Sequence, residues 1–62
     1  LSIAFISSDG EIFQIEHLKP FDLYRVTSTS PAPYALEVNR GFFEENGITV
    51  GSRVDLTGLI DR

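Results

Sequence analysis

The chain has 62 residues, no cysteine and one histidine, so it has room for one domain, no disulfide, and no zinc site built on cysteines. Nine acidic against five basic residues give a net charge of −4, which repels phosphate backbones and argues against nucleic-acid binding. No apolar run approaches the roughly 20 residues of a membrane helix, so this segment does not insert as one.

Leu1–Ser7 reads as a strand that is apolar on both faces, the pattern of a central strand with cover on each side and a neighbour on each edge. Asp9-Gly10 then marks a two-residue type I′ hairpin turn, and Ile12–Leu18 is the return strand. That turn sets a register in which Ser2 faces His17, Ala4 faces Ile15 and Ile6 faces Phe13, with Ile3–Glu16 and Phe5–Gln14 on the other face. The first strand's second neighbour is expected from a segment before Leu1.

Pro20 stops the second strand, because proline gives no amide to a ladder. Leu23–Val26 is a short strand candidate, and 27–33 is an extended, solvent-facing loop by composition. From Tyr34 to Val38, apolar residues alternate with Ala35 and Glu37 in a half-buried strand. Asn39 has the side chain of an N-cap for a short helix over about 40–46. Gly47 closes that helix as a left-handed C′ residue, which brings Ile48 back toward Phe43 in a Schellman motif. Phe42 and Phe43 must pack against a core for so short a helix to persist. Val50–Arg53 is a turn, and Val54 and Leu56 open a further strand that the tail Gly58–Arg62 extends with a kink at Gly58. The fold class is α+β and β-rich: a small mixed sheet or partly open barrel of about four to five strands with one short helix.

Few residues carry a chemical signal. His17 and Glu16 are strand neighbours and point to opposite faces, so they do not share a metal or form an oriented base. Glu37 lies in an otherwise apolar strand, where a carboxylate is either solvated and outward-facing, or paired with an arginine such as Arg53 or Arg40, or desolvated. The pattern favours the solvated or paired reading over the desolvated one, and Glu37 is the best single candidate for an acid–base role. Asp9 serves its turn, and Glu44-Glu45 reads as a solvated helix face. The sequence has no nucleophile elbow, P-loop or dinucleotide glycine run, so no cofactor or metal is expected.

Ile3-Ala4-Phe5, Asp9-Gly10, Pro20, Pro33–Val38, Gly41, Gly47-Ile48 and Val50-Gly51, in this order and spacing, resemble the C-terminal half of the uncharacterised family known as domain of unknown function 192. The most specific piece is Tyr34-Ala-Leu-Glu-Val-x-x-Gly followed by Gly47-Ile-x-Val-Gly-x-x-Val. Members of that family usually carry a Trp-Met-Lys-Asn-Thr-like segment before the strand that starts here, and often an aspartate where this chain has Ser2. The resemblance implies that 1–62 is a single unit, a C-terminal fragment of a larger β-rich domain, from a parent chain that is exported, periplasmic or membrane-tethered. It places a glutamate at Glu37 and brings no established activity. Two functions stand side by side: a non-catalytic binding or structural module, and a hydrolase-like enzyme that uses Glu37 as acid or base. Unpaired strand edges also leave a homodimer open.

Overall fold

The computed structural model describes residues 1–19 and 27–55. The expected stop at Pro20, the strand over Leu23–Val26 and the continuation through Leu56 and Gly58–Arg62 lie outside them. The elements run β1 (Ser2–Ile6), β2 (Ile12–His17), β3 (Tyr34–Val38) and α1 (Phe42–Glu45). The three strands form one antiparallel sheet in the order β2-β1-β3.

β1 is central, as its two apolar faces require, and its second neighbour is β3 rather than a segment before Leu1. Ala4 and Ile6 point to one face and Ile3 and Phe5 to the other, and of these four only Ile3 is not fully buried. The β1–β2 register is the expected one from Ser2↔His17 to Phe5↔Gln14, and then shifts so that Ile6 faces Ile12. Phe13 is therefore an extra residue, a β-bulge. A regular strand cannot turn both Ile12 and Ile15 to one face, because they are three apart. The bulge rephases β2 so that Ile12 is buried and Ile15 packs on the same core.

The bulge compensates for a longer turn. The loop has three residues, Ser8-Asp9-Gly10, rather than the two of a type I′ hairpin. Ser7 N–H donates to Glu11 O at 2.9 Å and Gly10 N–H to Ser7 O at 3.0 Å, with Gly10 at φ 91°. This is a turn closed by a left-handed glycine. Side chains favour the wider loop: the Ser7 hydroxyl donates to Asp9 Oδ1, which also accepts Glu11 N–H at 3.3 Å.

α1 is shorter than expected, 42–45 rather than 40–46, and Asn39 does not cap it. Asn39 offers its backbone carbonyl instead, accepting Phe42 N–H at 3.1 Å across a turn whose third residue, Gly41, has φ 94°. That reversal intervenes between the asparagine side chain and the free helix amides. The C-terminal end follows the expected Schellman pattern: Ile48 N–H donates to Phe43 O at 2.8 Å, Gly47 N–H to Glu44 O at 3.2 Å, and Gly47 has φ 65°. This seats Phe43, 1% exposed, in a core with Ala4, Ile6 and Ile12, and Ile15, Tyr34, Val38, Ile48 and Val54 pack around it.

Of the four to five strands expected, the described residues hold three. The fourth is represented by an isolated antiparallel bridge, Glu11↔Arg53. The chain turns at Thr49–Ser52 and runs along the outer side of β2, where Ile12 N–H donates to Ser52 O at 2.9 Å and Val54 N–H to Gly10 O at 2.7 Å. The sheet is antiparallel rather than mixed, because the connections are hairpin-like or arrive from the opposite direction.

Candidate functional site

Three places in the fold bring chemically capable groups together. The first follows directly from the β1–β2 register. Ser2 lies opposite His17, and the Ser2 hydroxyl meets His17 Nδ1 at 2.7 Å. On its other side the imidazole presents Nε2 to Glu44 Oε2 of α1 at 3.5 Å. A carboxylate at Nε2 favours the proton there, which leaves Nδ1 to accept the serine O–H.

Serine, histidine and carboxylate in line are the group types of a nucleophilic relay, but burial runs the wrong way for one. Ser2 is 0% exposed, whereas the side chains of His17 and Glu44 are 36% and 62% exposed. The nucleophile is sealed and the carboxylate faces water. What the line does is tie β1, β2 and α1 together while satisfying a hydroxyl that burial would otherwise strand. His17 thus avoids Glu16, as the strand alternation requires, and engages partners from two other elements.

The second place is the hairpin tip. Arg53 Nη1 lies 3.4 Å from Asp9 Oδ2 and donates to Asp9 O at 3.2 Å, and Nη2 lies 4.0 Å from Glu11 Oε1. The Asp9 carboxyl is held below the ordinary carboxylate range, first by the Ser7 hydroxyl, then by the Glu11 amide and by Arg53. These contacts fasten the 49–54 segment to the turn and leave Asp9 in the turn role read from the sequence. Among the described residues no group of three or more histidine, aspartate or glutamate side chains could hold a metal ion.

The third place is β3. Among the described residues no strand lies beyond it, so within them its outer edge is unpaired. Against β3 lies an apolar cleft of about 450 Å³, lined by Ile6 of β1, by Pro33, Tyr34, Ala35 and Leu36, and by Val54 and Asp55. Leu36 remains 38% exposed there. Glu37 points to the opposite face, across from Ile3, and it is exposed. This is the solvated, outward-facing position rather than the desolvated one, since that face of β3 meets water. On that same face Gln14 holds the start of the 27–33 loop, donating to Thr27 O at 3.2 Å and accepting Thr29 N–H at 2.7 Å.

A sequence model of the family DUF192, described as "Uncharacterized ACR, COG1430", matches residues 1–56. The chain belongs to this family. The DUF192 match takes in β1, β2, β3, α1 and the Glu11–Arg53 bridge, so all three places lie inside it. No curated protein and no solved structure matches the chain. The function of this DUF192 domain is unknown, and no helix among the described residues is long and apolar enough to cross a membrane.

Proposed function

We propose that the chain is a non-catalytic binding module that captures an extended peptide segment on the outer edge of β3. The observation that supports this is the pairing of an open strand edge with an apolar cleft beside it. Strand addition draws affinity from the backbone ladder and specificity from pockets for alternate side chains. A strand laid against β3 sets every second side chain toward Tyr34, Leu36 and Val54, and the intervening ones toward Ala35 and Glu37. The fitting ligand therefore alternates apolar with basic residues, and the net charge of −4 favours its approach. Within this reading Glu37 is a recognition residue rather than an acid or base.

The same reading takes the chain as the C-terminal half of a larger domain of an exported protein, on the strength of the family resemblance. The sheet then reaches four or five strands on the β2 side, starting from the Glu11–Arg53 bridge, and the β3 edge is left for the ligand.

Fluorescence anisotropy with a labelled valine–lysine alternating peptide tests the proposal, with a valine–glutamate peptide as control. Leu36→Asp abolishes binding, and Glu37→Lys weakens it about three- to tenfold. Equal binding of both peptides, or no effect of either substitution, refutes it. Light scattering that reports a dimer closed through β3 makes a second copy the occupant instead. Ester turnover abolished by Glu37→Gln with the fold intact replaces the reading with the enzymatic one.

A further inference from the structure

The C-terminal end of α1 is built on Asn46-Gly47, and the chemistry of that pair sets the inference. The chain has two asparagines, Asn39 and Asn46. Asn39 precedes Arg40, whose side chain crowds the backbone nitrogen. Asn46 precedes Gly47, which has no side chain to crowd its backbone nitrogen. Asn46 is also exposed. An unhindered backbone nitrogen beside an asparagine side chain can attack its amide.

We infer that Asn46 is a deamidation site whose reactivity is gated by the Schellman turn. In the reaction the Gly47 backbone nitrogen loses its proton and bonds to Asn46 Cγ. The Cγ–Nδ2 bond then breaks, ammonia leaves, and a five-membered succinimide remains. Water opens that ring at either carbonyl, giving aspartate or isoaspartate with a mass gain of about 1 Da. No oxidant or further reactant takes part.

The native cap opposes the first step in three ways. Gly47 N–H is engaged with Glu44 O at 3.2 Å, so its nitrogen points into the turn rather than at the side chain. Asn46 Nδ2 donates to Phe42 O at 2.8 Å, which holds the amide along the helix. Asn46 sits at ψ 10°, and ring closure needs a wide rotation of that angle. All three are released together when the last turn opens, so the rate follows local unfolding of α1.

The product does not rebuild the cap. Isoaspartate inserts an extra backbone carbon between Phe43 O and Ile48 N–H, which are 2.8 Å apart in the native turn. Both products add a carboxylate beside Glu44 and Glu45 at the end of the helix where anions are disfavoured. Deamidation at this position therefore loosens the seat of Phe43, and it accumulates as the protein ages.

The experiment follows intact mass and peptide maps of this chain, held at mildly alkaline pH in buffer and in concentrated urea, with isoaspartate assayed in each fragment. Mass gain confined to Asn46, at least about tenfold slower in buffer than in urea, is the expected result. Asn46→Gln removes it, because the longer side chain must close a less favoured ring. Phe43→Leu, which weakens the seat of α1 without abolishing the core, speeds it. A folded chain that reacts as fast as the unfolded one overturns the gating. A urea-treated chain that gains no mass at Asn46, or a purified isoaspartyl product that keeps native amide shifts over 42–48, overturns the rest.

Discussion

Replacing Phe43 by alanine removes the one large side chain that α1 contributes to the core. Phe43 is 1% exposed and packs with Ala4, Ile6 and Ile12, so the substitution costs about 3–5 kcal/mol from lost burial and the cavity left behind. A chain of 62 residues, at about 0.05–0.15 kcal/mol per residue, has a total stability of about 3–9 kcal/mol. The variant therefore loses between about a third and all of its stability. Phe43→Leu keeps most of the volume and costs about 1–1.5 kcal/mol. Phe42 provides the internal control. It is 42% exposed and touches Phe43 edge-on, with ring centroids 6.1 Å apart, so Phe42→Ala costs no more than about 1.5 kcal/mol. Urea unfolding followed by far-ultraviolet circular dichroism gives the three midpoints. Equal losses from Phe42→Ala and Phe43→Ala would show that α1 is not held by Phe43, and would refute the packing argument.

Three further outcomes follow from the polar contacts and the turns. His17→Ala should cost more than Ser2→Ala in the same urea assay: the first strands a buried hydroxyl at about 1–3 kcal/mol, and the second leaves a solvent-reachable ring nitrogen at about 0.5–1.5 kcal/mol. The reverse order would contradict the clasp. Asp9 titrates below its ordinary value of 3.8 in the folded chain, so its stabilising contribution is present above that value and fades as pH falls through the lower, folded one. Asp9→Asn should flatten the acid limb of thermal stability against pH in that window, and an unchanged limb would remove Asp9 from the account. Gly47→Ala meets no steric obstacle but forces a side chain into φ 65°, and should lower stability by about 1–2 kcal/mol in thermal melts. A neutral result would mean the cap contributes nothing.

Much of the fold was legible because it rests on local rules. Alternation located β3 at its observed ends, and Gly47-Ile48 announced the Schellman cap in two residues. The two apolar faces of β1 correctly made it the central strand. The loop length was not legible, because Asp-Gly serves both two- and three-residue hairpins, and the choice lies with the Ser7 and Asp9 side chains. A clue to the bulge was present in the spacing of Ile12 and Ile15, which no regular strand can turn to one core. Asn39 misled as a cap because the same residue type also starts turns, and Gly41 decided for the turn.

The candidate site was legible only in part. Ser2↔His17 is fixed by the hairpin register, but Glu44 reaches His17 through the docking of α1, a tertiary event with no local signature. Glu37 drew attention for the right oddity, a charge in an apolar strand, but its environment depends on whether β3 is an edge. That property belongs to the sheet order and not to the strand.

Amide proton–nitrogen spectra of the labelled chain, titrated with the valine–lysine alternating peptide, test the β3 edge most directly. The account predicts saturable shifts concentrated at 34–38 and 54–55, with Ser2, His17 and Glu44 unmoved. Shifts centred on Ser2, His17 and Glu44, or none at saturating peptide, would contradict it.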